Sequence, residues 1–137
     1  AVKRNGFVLY YASDDLRADR DIVKEAVKED GFVLKYASVN IKSEREIVLT
    51  AVKKYGRALQ YASDNLRADR EIVLEAVKQN GWALRWVKEE LQTEELCLAA
   101  VKRNGNALYW VKEELQTYEL CLEAVKQDGD VLRWVKV

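Results

Sequence analysis

Three sets of side chains in this chain are of types that do chemistry. Cys97 and Cys121 stand 24 residues apart, and thiols serve as nucleophiles, redox partners and metal ligands. Acidic pairs occur at Asp14-Asp15, Glu89-Glu90 and Glu113-Glu114. Paired carboxylates do acid–base work or hold a divalent ion. Ser13, Ser38 and Ser63 each follow Tyr-Ala and would be nucleophiles if a base activated them. Each set lacks its complement. The 137 residues include no histidine, which removes His-based triads, His general bases and most zinc sites. No third cysteine completes a metal site. The acidic pairs repeat one solvated turn, beside the apolar plugs Leu16, Leu91 and Leu115. Catalytic carboxylates need unlike environments to separate their pKa values. The cysteines share a column with Val23, Val48 and Val73 and read as small core hydrophobes. Helices packed about 8–10 Å apart would hold them beyond disulfide reach. The serines read as turn residues. The expectation is a chain with no catalytic residue, no cofactor and no metal.

Composition points the same way. Lys plus Arg is 23 and Asp plus Glu is 23, so formal charge is zero. That balance argues against a nucleic-acid or membrane partner. A hydrophobic share of 49% with 34% charged residues fits a folded, soluble chain. Residues 1–6 carry no apolar signal segment, and no apolar run approaches membrane-spanning length. Two free cysteines fit a reducing compartment. Proline and methionine are absent.

The elements that position these residues are repeats. Glycines stand at 6, 31, 56, 81, 105 and 129, with spacings of 25, 25, 25, 24 and 24. Each follows Ala-Val-Lys and two variable residues. An unvarying Leu comes three residues after each glycine: Leu9, Leu34, Leu59, Leu84, Leu108 and Leu132. An aromatic follows, first Tyr11, Tyr36 and Tyr61, then Trp86, Trp110 and Trp134. The units are 1–25, 26–50, 51–75, 76–99, 100–123 and a partial 124–137. They fall into two dialects, YASDNLRADREIVLE and WVKEELQTEELCLA. The second is one residue shorter, between Leu91 and Thr93, where the first has Arg67 and Ala68. That is a connection between helices, where deletions are cheapest.

Each unit reads as helix, turn, short helix, turn. Ile72, Val73, Ala76 and Val77 mark one helical face of a longer helix over roughly residues 70–80. Asp69 or Thr93 is its N-cap, and Glu71 or Glu95 lies in its first turn. The repeated lysine, Lys78 here, falls in the last turn. Asn80-Gly81 reads as a left-handed C-cap. Ala83, Leu84, Trp86 and Val87 mark the face of the shorter helix. One such unit cannot bury its apolar face alone. Stacking gives an all-α architecture, an α-solenoid of about five and a half units with nearest-neighbour stabilisation. At helix separations of about 8–10 Å it would span on the order of 50 Å.

The segment LRADREIVLEAVKQNGWAL resembles the repeats of the family called domain of unknown function 4116, whose units have the form LRADREVVLxAVKxxGxALxYAS. The resemblance covers essentially the whole chain. The second dialect is similar to a family variant with a Val-Pro-Glu-Glu-Leu turn, with Lys88 and Lys112 in place of Pro. The resemblance implies a helical repeat and carries no activity or ligand. By architectural analogy, the alternation also looks like the leucine-rich-variant repeat, whose short element is 3₁₀-like.

The leading functional expectation is a non-enzymatic helical-repeat scaffold for protein–protein interaction or assembly. An engineered consensus array with no biological ligand is the alternative. A nucleic-acid-binding solenoid, with the lysine ladder tracking phosphates, is a distant third. The aromatic column after each Leu reads as core, with each Tyr hydroxyl and Trp N–H reaching a partner or solvent. Two columns that alternate between apolar and polar residues read as surface. They give the candidate partner-binding residues Phe7, Tyr10, Phe32, Lys35, Arg57, Trp82, Arg85, Tyr109 and Arg133, types suited to hot spots. Neither end carries a distinct cap sequence, so self-association through uncapped ends is also expected.

Overall fold

The computed structural model describes residues 13–134. Among them every regular element is helical. After a single turn of helix, α1 (Asp14–Arg17), come five long helices of ten residues: α2 (Arg20–Glu29), α3 (Arg45–Lys54), α4 (Arg70–Gln79), α5 (Glu94–Arg103) and α6 (Tyr118–Gln127). Each is followed by a six-residue 3₁₀ helix: Gly31–Tyr36, Gly56–Tyr61, Gly81–Trp86, Gly105–Trp110 and Gly129–Trp134. Successive long helices pack on one another, each also packs on the 3₁₀ helix that follows it, and α3 to α6 pack on the one before as well. This is an all-α solenoid, and its short element is 3₁₀. The period set at residues 25, 50, 75, 99 and 123 cuts through the middle of each long helix.

Capping residues start the long helices where their chemistry requires. The Asp69 carboxylate accepts from the Ile72 N–H at 3.1 Å. Thr93 and Thr117 accept from the Leu96 and Leu120 N–H groups at 3.2 Å each. Such caps satisfy N–H groups that have no partner inside the helix. The buried stripe of α4 is Ile72, Val73, Ala76 and Val77. It joins Ala83 and Leu84 of the following 3₁₀ helix in one continuous core.

The helix ends differ from expectation. No described glycine has a positive φ, so Gly81 is not a left-handed cap. Asn80 is extended, with φ −152° and ψ 110°. Its side chain accepts from the Trp82 N–H at 2.9 Å, making it the N-cap of the 3₁₀ helix. Asp30 and Asp128 do the same for Phe32 and Asp130. The glycine answers to the neighbouring repeat. A Cβ built on Gly81 would lie 2.2 Å from the Ala100 carbonyl oxygen. Gly31, Gly56 and Gly105 face Ala51, Ala76 and Ala124 in the same way. Gly129 has nothing within 4 Å. The glycine is thus the point where a 3₁₀ helix meets the backbone of the next long helix.

The plugs read from the sequence are not deeply buried: Leu16 and Leu91 are 43% and 40% exposed and Leu115 is half-buried, whereas Ile41 and Leu66, in the same place in other units, are buried. In the shortened loop it is Gln92 that goes inside. Its amide donates to the Trp110 carbonyl at 2.7 Å. Its oxygen accepts from the Lys112 N–H at 2.9 Å and from the Cys97 thiol at 3.7 Å. The longer loops need no such side chain. There, Ser38 N–H donates to the Arg17 carbonyl and Ser63 N–H to the Lys42 carbonyl, at 3.1 and 3.0 Å. Gln92 therefore supplies by side chain the acceptor that the deleted residue would leave on the backbone.

Candidate interaction face

The 3₁₀ helices bring the two surface columns and the aromatic column onto one face. The cause is local. With about three residues per turn, Ala83 and Leu84 enter the core while Arg85 is exposed and Trp86 is half-buried. Repeating that turn stacks one unit's cation against the next unit's ring. Arg57 lies over Trp86 at 6.0 Å. Arg85 lies over its neighbour Trp86 at 5.2 Å and over Trp110 of the next unit at 5.0 Å. Tyr109 packs edge-on to Trp110 at 4.8 Å. Nearer the start, Phe32 meets Tyr55 and Tyr61 edge-on at 5.6 and 5.5 Å. Lys35 sits 5.6 Å from the Phe32 ring and 5.8 Å from Tyr36.

Of the nine candidate residues, Phe32, Lys35, Arg57, Arg85 and Tyr109 are brought together in this stack. Arg133 joins Tyr109 and Trp110 at a cleft of about 540 Å³, with Glu89, Glu113 and Glu114 along its edge. Trp82 is half-buried at the start of its 3₁₀ helix and stands apart from the rings. Phe7 and Tyr10 lie outside the described residues. Tyr36, Tyr61, Trp86 and Trp110, read from sequence as core, are half-buried rings that floor the face. Burial, with Tyr55 and Tyr36 nearby, pushes the Tyr61 hydroxyl above its ordinary pKa. One expectation fails here: the Trp110 indole N–H is buried with no hydrogen-bond partner.

The residues that could do chemistry stay apart. Both cysteines are free, Cys97 fully buried and Cys121 half-buried. Burial pushes the Cys97 thiol up to about 11, which leaves it protonated and inert at neutral pH. Ser13 and Ser38 accept turn N–H bonds at 3.4 Å. The acidic pairs are exposed. Among the described residues no three Cys, Asp or Glu side chains gather as a metal site would need, and no helix is long and apolar enough to cross a membrane.

A second feature was missed in the sequence. Successive long helices are joined along one edge by ion pairs. Arg20 reaches Glu44 and Glu46 at 3.5 and 2.8 Å, and Arg45 reaches Asp69 and Glu71, both at 2.9 Å. Arg70 pairs with Glu95. The Arg column then changes to Glu94 and Tyr118. The signal was present in the recurring Arg after each first-dialect cap.

An array of α and 3₁₀ elements repeated along the chain, with a cation–ring stack along one side, is a helical-repeat architecture. The model of the family described as domain of unknown function (DUF4116) matches residues 1–42, 44–92 and 93–136, and the chain belongs to that family. No curated protein and no solved structure matches the chain at a significant level.

Proposed function

We propose that the chain is a non-enzymatic scaffold whose cation–ring face holds a protein partner bearing carboxylates. The observation that carries this reading is the alternating stack Arg57, Trp86, Arg85, Trp110 across successive units. A guanidinium lying on a ring keeps its edge N–H groups free for a planar carboxylate. The ring beneath fixes the Arg rotamer and lowers the ordering cost of binding. Aromatic and Arg side chains so placed are those that dominate interface energetics. The zero net charge disfavours a long phosphate backbone, and Glu89, Glu113 and Glu114 beside the Trp110 end steer the partner's carboxylates toward Arg57 and Arg85.

The test is quantitative affinity capture with the wild-type chain and an Arg57→Glu/Arg85→Glu variant as paired baits. Partners retained by the first and lost by the second support the reading. An identical captured set, with both baits folded by circular dichroism, refutes it. Self-association is a second reading, favoured by one observation. The last described unit leaves Leu122 and Leu132 exposed, at 40% and 64%, beside the open space over Gly129. Sedimentation over a wide concentration range checks it, and a strictly monomeric species would exclude it.

A further inference from the structure

The change of dialect removes a tie between loops that each dialect makes on its own. Between first-dialect units the loops are tied backbone to backbone, Ser38 to Arg17 and Ser63 to Lys42. Between second-dialect units the Gln92 side chain ties Lys112. At the one mixed junction, between the loop of residues 66–68 and that of 87–91, the corresponding Lys88 N–H makes neither bond. A cleft of about 190 Å³ opens there. Its floor is Val73, Val87 and Leu96, exposed by 3%, 6% and 7%, and its wall is the 40% exposed Leu91. A smaller cleft of about 110 Å³ continues from it past Ala68 to Trp86 and Lys88, so the gap runs into the cation–ring face. A cavity of about 150 Å³ is enough for a benzene ring, so one large apolar side chain fits. The rim carries Arg67, Arg70 and Lys88 against two carboxylates, Asp64 on Arg67 and Glu95 on Arg70.

We infer that this junction is an anchor pocket for one aromatic or large aliphatic side chain of a partner peptide, with acidic residues on either side of it. The inference rests on the face proposed above and adds the feature that sets register along it. An electrostatic stack repeating every unit cannot by itself fix where a partner sits. An apolar slot with cations on its rim can: the wider cleft of about 410 Å³ at the next junction, against Leu98, Leu115 and Leu120, is edged by Glu94, Glu95 and Glu119 and turns acidic flanks away.

Short fluorescein-labelled peptides of Asp and Glu around one central Phe or Ala are the probes, read by fluorescence anisotropy. The Phe peptide is expected to bind about tenfold more tightly than the Ala peptide, as burying one ring implies. Ala68→Phe, at an exposed position on the rim, fills the slot and should erase that preference while leaving the Ala peptide unchanged. Leu91→Ser, which removes the wall, should do the same by a second route. Equal binding of the two peptides, or a Phe preference that survives both variants, overturns the pocket and leaves the face standing. Loss of Phe preference with binding that is insensitive to Arg57→Glu/Arg85→Glu supports the pocket and removes the face. If neither peptide binds the wild-type chain, both fall.

Discussion

Replacing Gly81 by Ala separates two accounts of the repeated glycine. If its purpose were a left-handed backbone, every glycine in the column would resist Ala by about 1 kcal/mol. The observed backbone asks for no such thing. By backbone freedom alone, Ala would stabilise by about 0.4–1 kcal/mol, through the unfolded chain. At Gly81 the new methyl carbon would stand 2.2 Å from the Ala100 oxygen and 3.1 Å from its carbonyl carbon. Those atoms belong to the backbone of α5 and cannot rotate away. Overpacking of this kind costs about 1–3 kcal/mol. Separation of the two helices also strains the bond from Gly81 N–H to the Asn104 side chain, 2.8 Å long and worth about 1 kcal/mol. The net expectation is a loss of about 1–3 kcal/mol for Gly81→Ala. Gly105→Ala, whose nearest approach is 2.8 Å, should lose less. Gly129→Ala meets nothing and should be neutral or stabilising by about 0.5 kcal/mol. Urea unfolding followed by Trp fluorescence and far-ultraviolet circular dichroism measures all three. Equal losses at Gly81 and Gly129 would refute the contact account.

Gln92→Leu should destabilise by about 1–3 kcal/mol, because it leaves the Trp110 carbonyl and Lys112 N–H without their partner. Amide exchange at Lys112 should rise toward that of Lys88, and unchanged protection would contradict the tie. Cys97 should resist thiol reagents in the native state while the half-buried Cys121 reacts first; faster labelling of Cys97 would contradict its burial. The folded thiol of Cys97 holds its proton up to about 11 against an ordinary 9.0. The unfolded chain releases protons first, so stability should fall as pH rises between those values, and Cys97→Val should flatten that limb. The Arg45 guanidinium holds the Asp69 carboxyl below its ordinary range. Arg45→Gln should therefore raise the Asp69 titration midpoint by NMR, with only a small, salt-sensitive change in stability at neutral pH.

The fold was legible because repetition multiplies weak signals. One ten-residue apolar stripe is ambiguous, but the same stripe at a fixed offset from six glycines is not. The caps Asp69 and Thr93 and the range of α4 were readable for that reason. The role of the glycine was not, since a sequence shows a missing Cβ and not the atom it would strike. The partner is Ala100, in the next repeat. A usable signal was the unvarying Ala of Ala-Val-Lys, because two small residues repeated in step mark a close approach of backbones. Gln92 was missed for another reason. A polar residue in a short loop is normally solvated, and only the three-way bonding to Trp110, Lys112 and Cys97 shows why it is inside. The face was half legible. Its cations and Tyr109 were picked from column variation, but its floor of Trp86 and Trp110 was assigned to the core. A half-buried ring serves both, and sequence cannot divide its two sides.

Period and function occupy different columns of this array. The unvarying positions, Gly, Ala and Leu, meet the neighbouring unit and set its distance, so any change there is felt across an interface. The varying positions face outward along the 3₁₀ helices, where Phe32, Arg57, Trp82, Asn106 and Asp130 share one column. A partner that touched only the unvarying columns would find every unit alike. Recognition at one place requires the columns that differ, or a defect in the repeat itself. The dialect change supplies both at the same point. It removes the loop tie at Lys88, exposes Leu91 and brings Trp86 and Trp110 into the stack where Tyr stood before. The irregular junction is therefore where a repetitive scaffold gains an address.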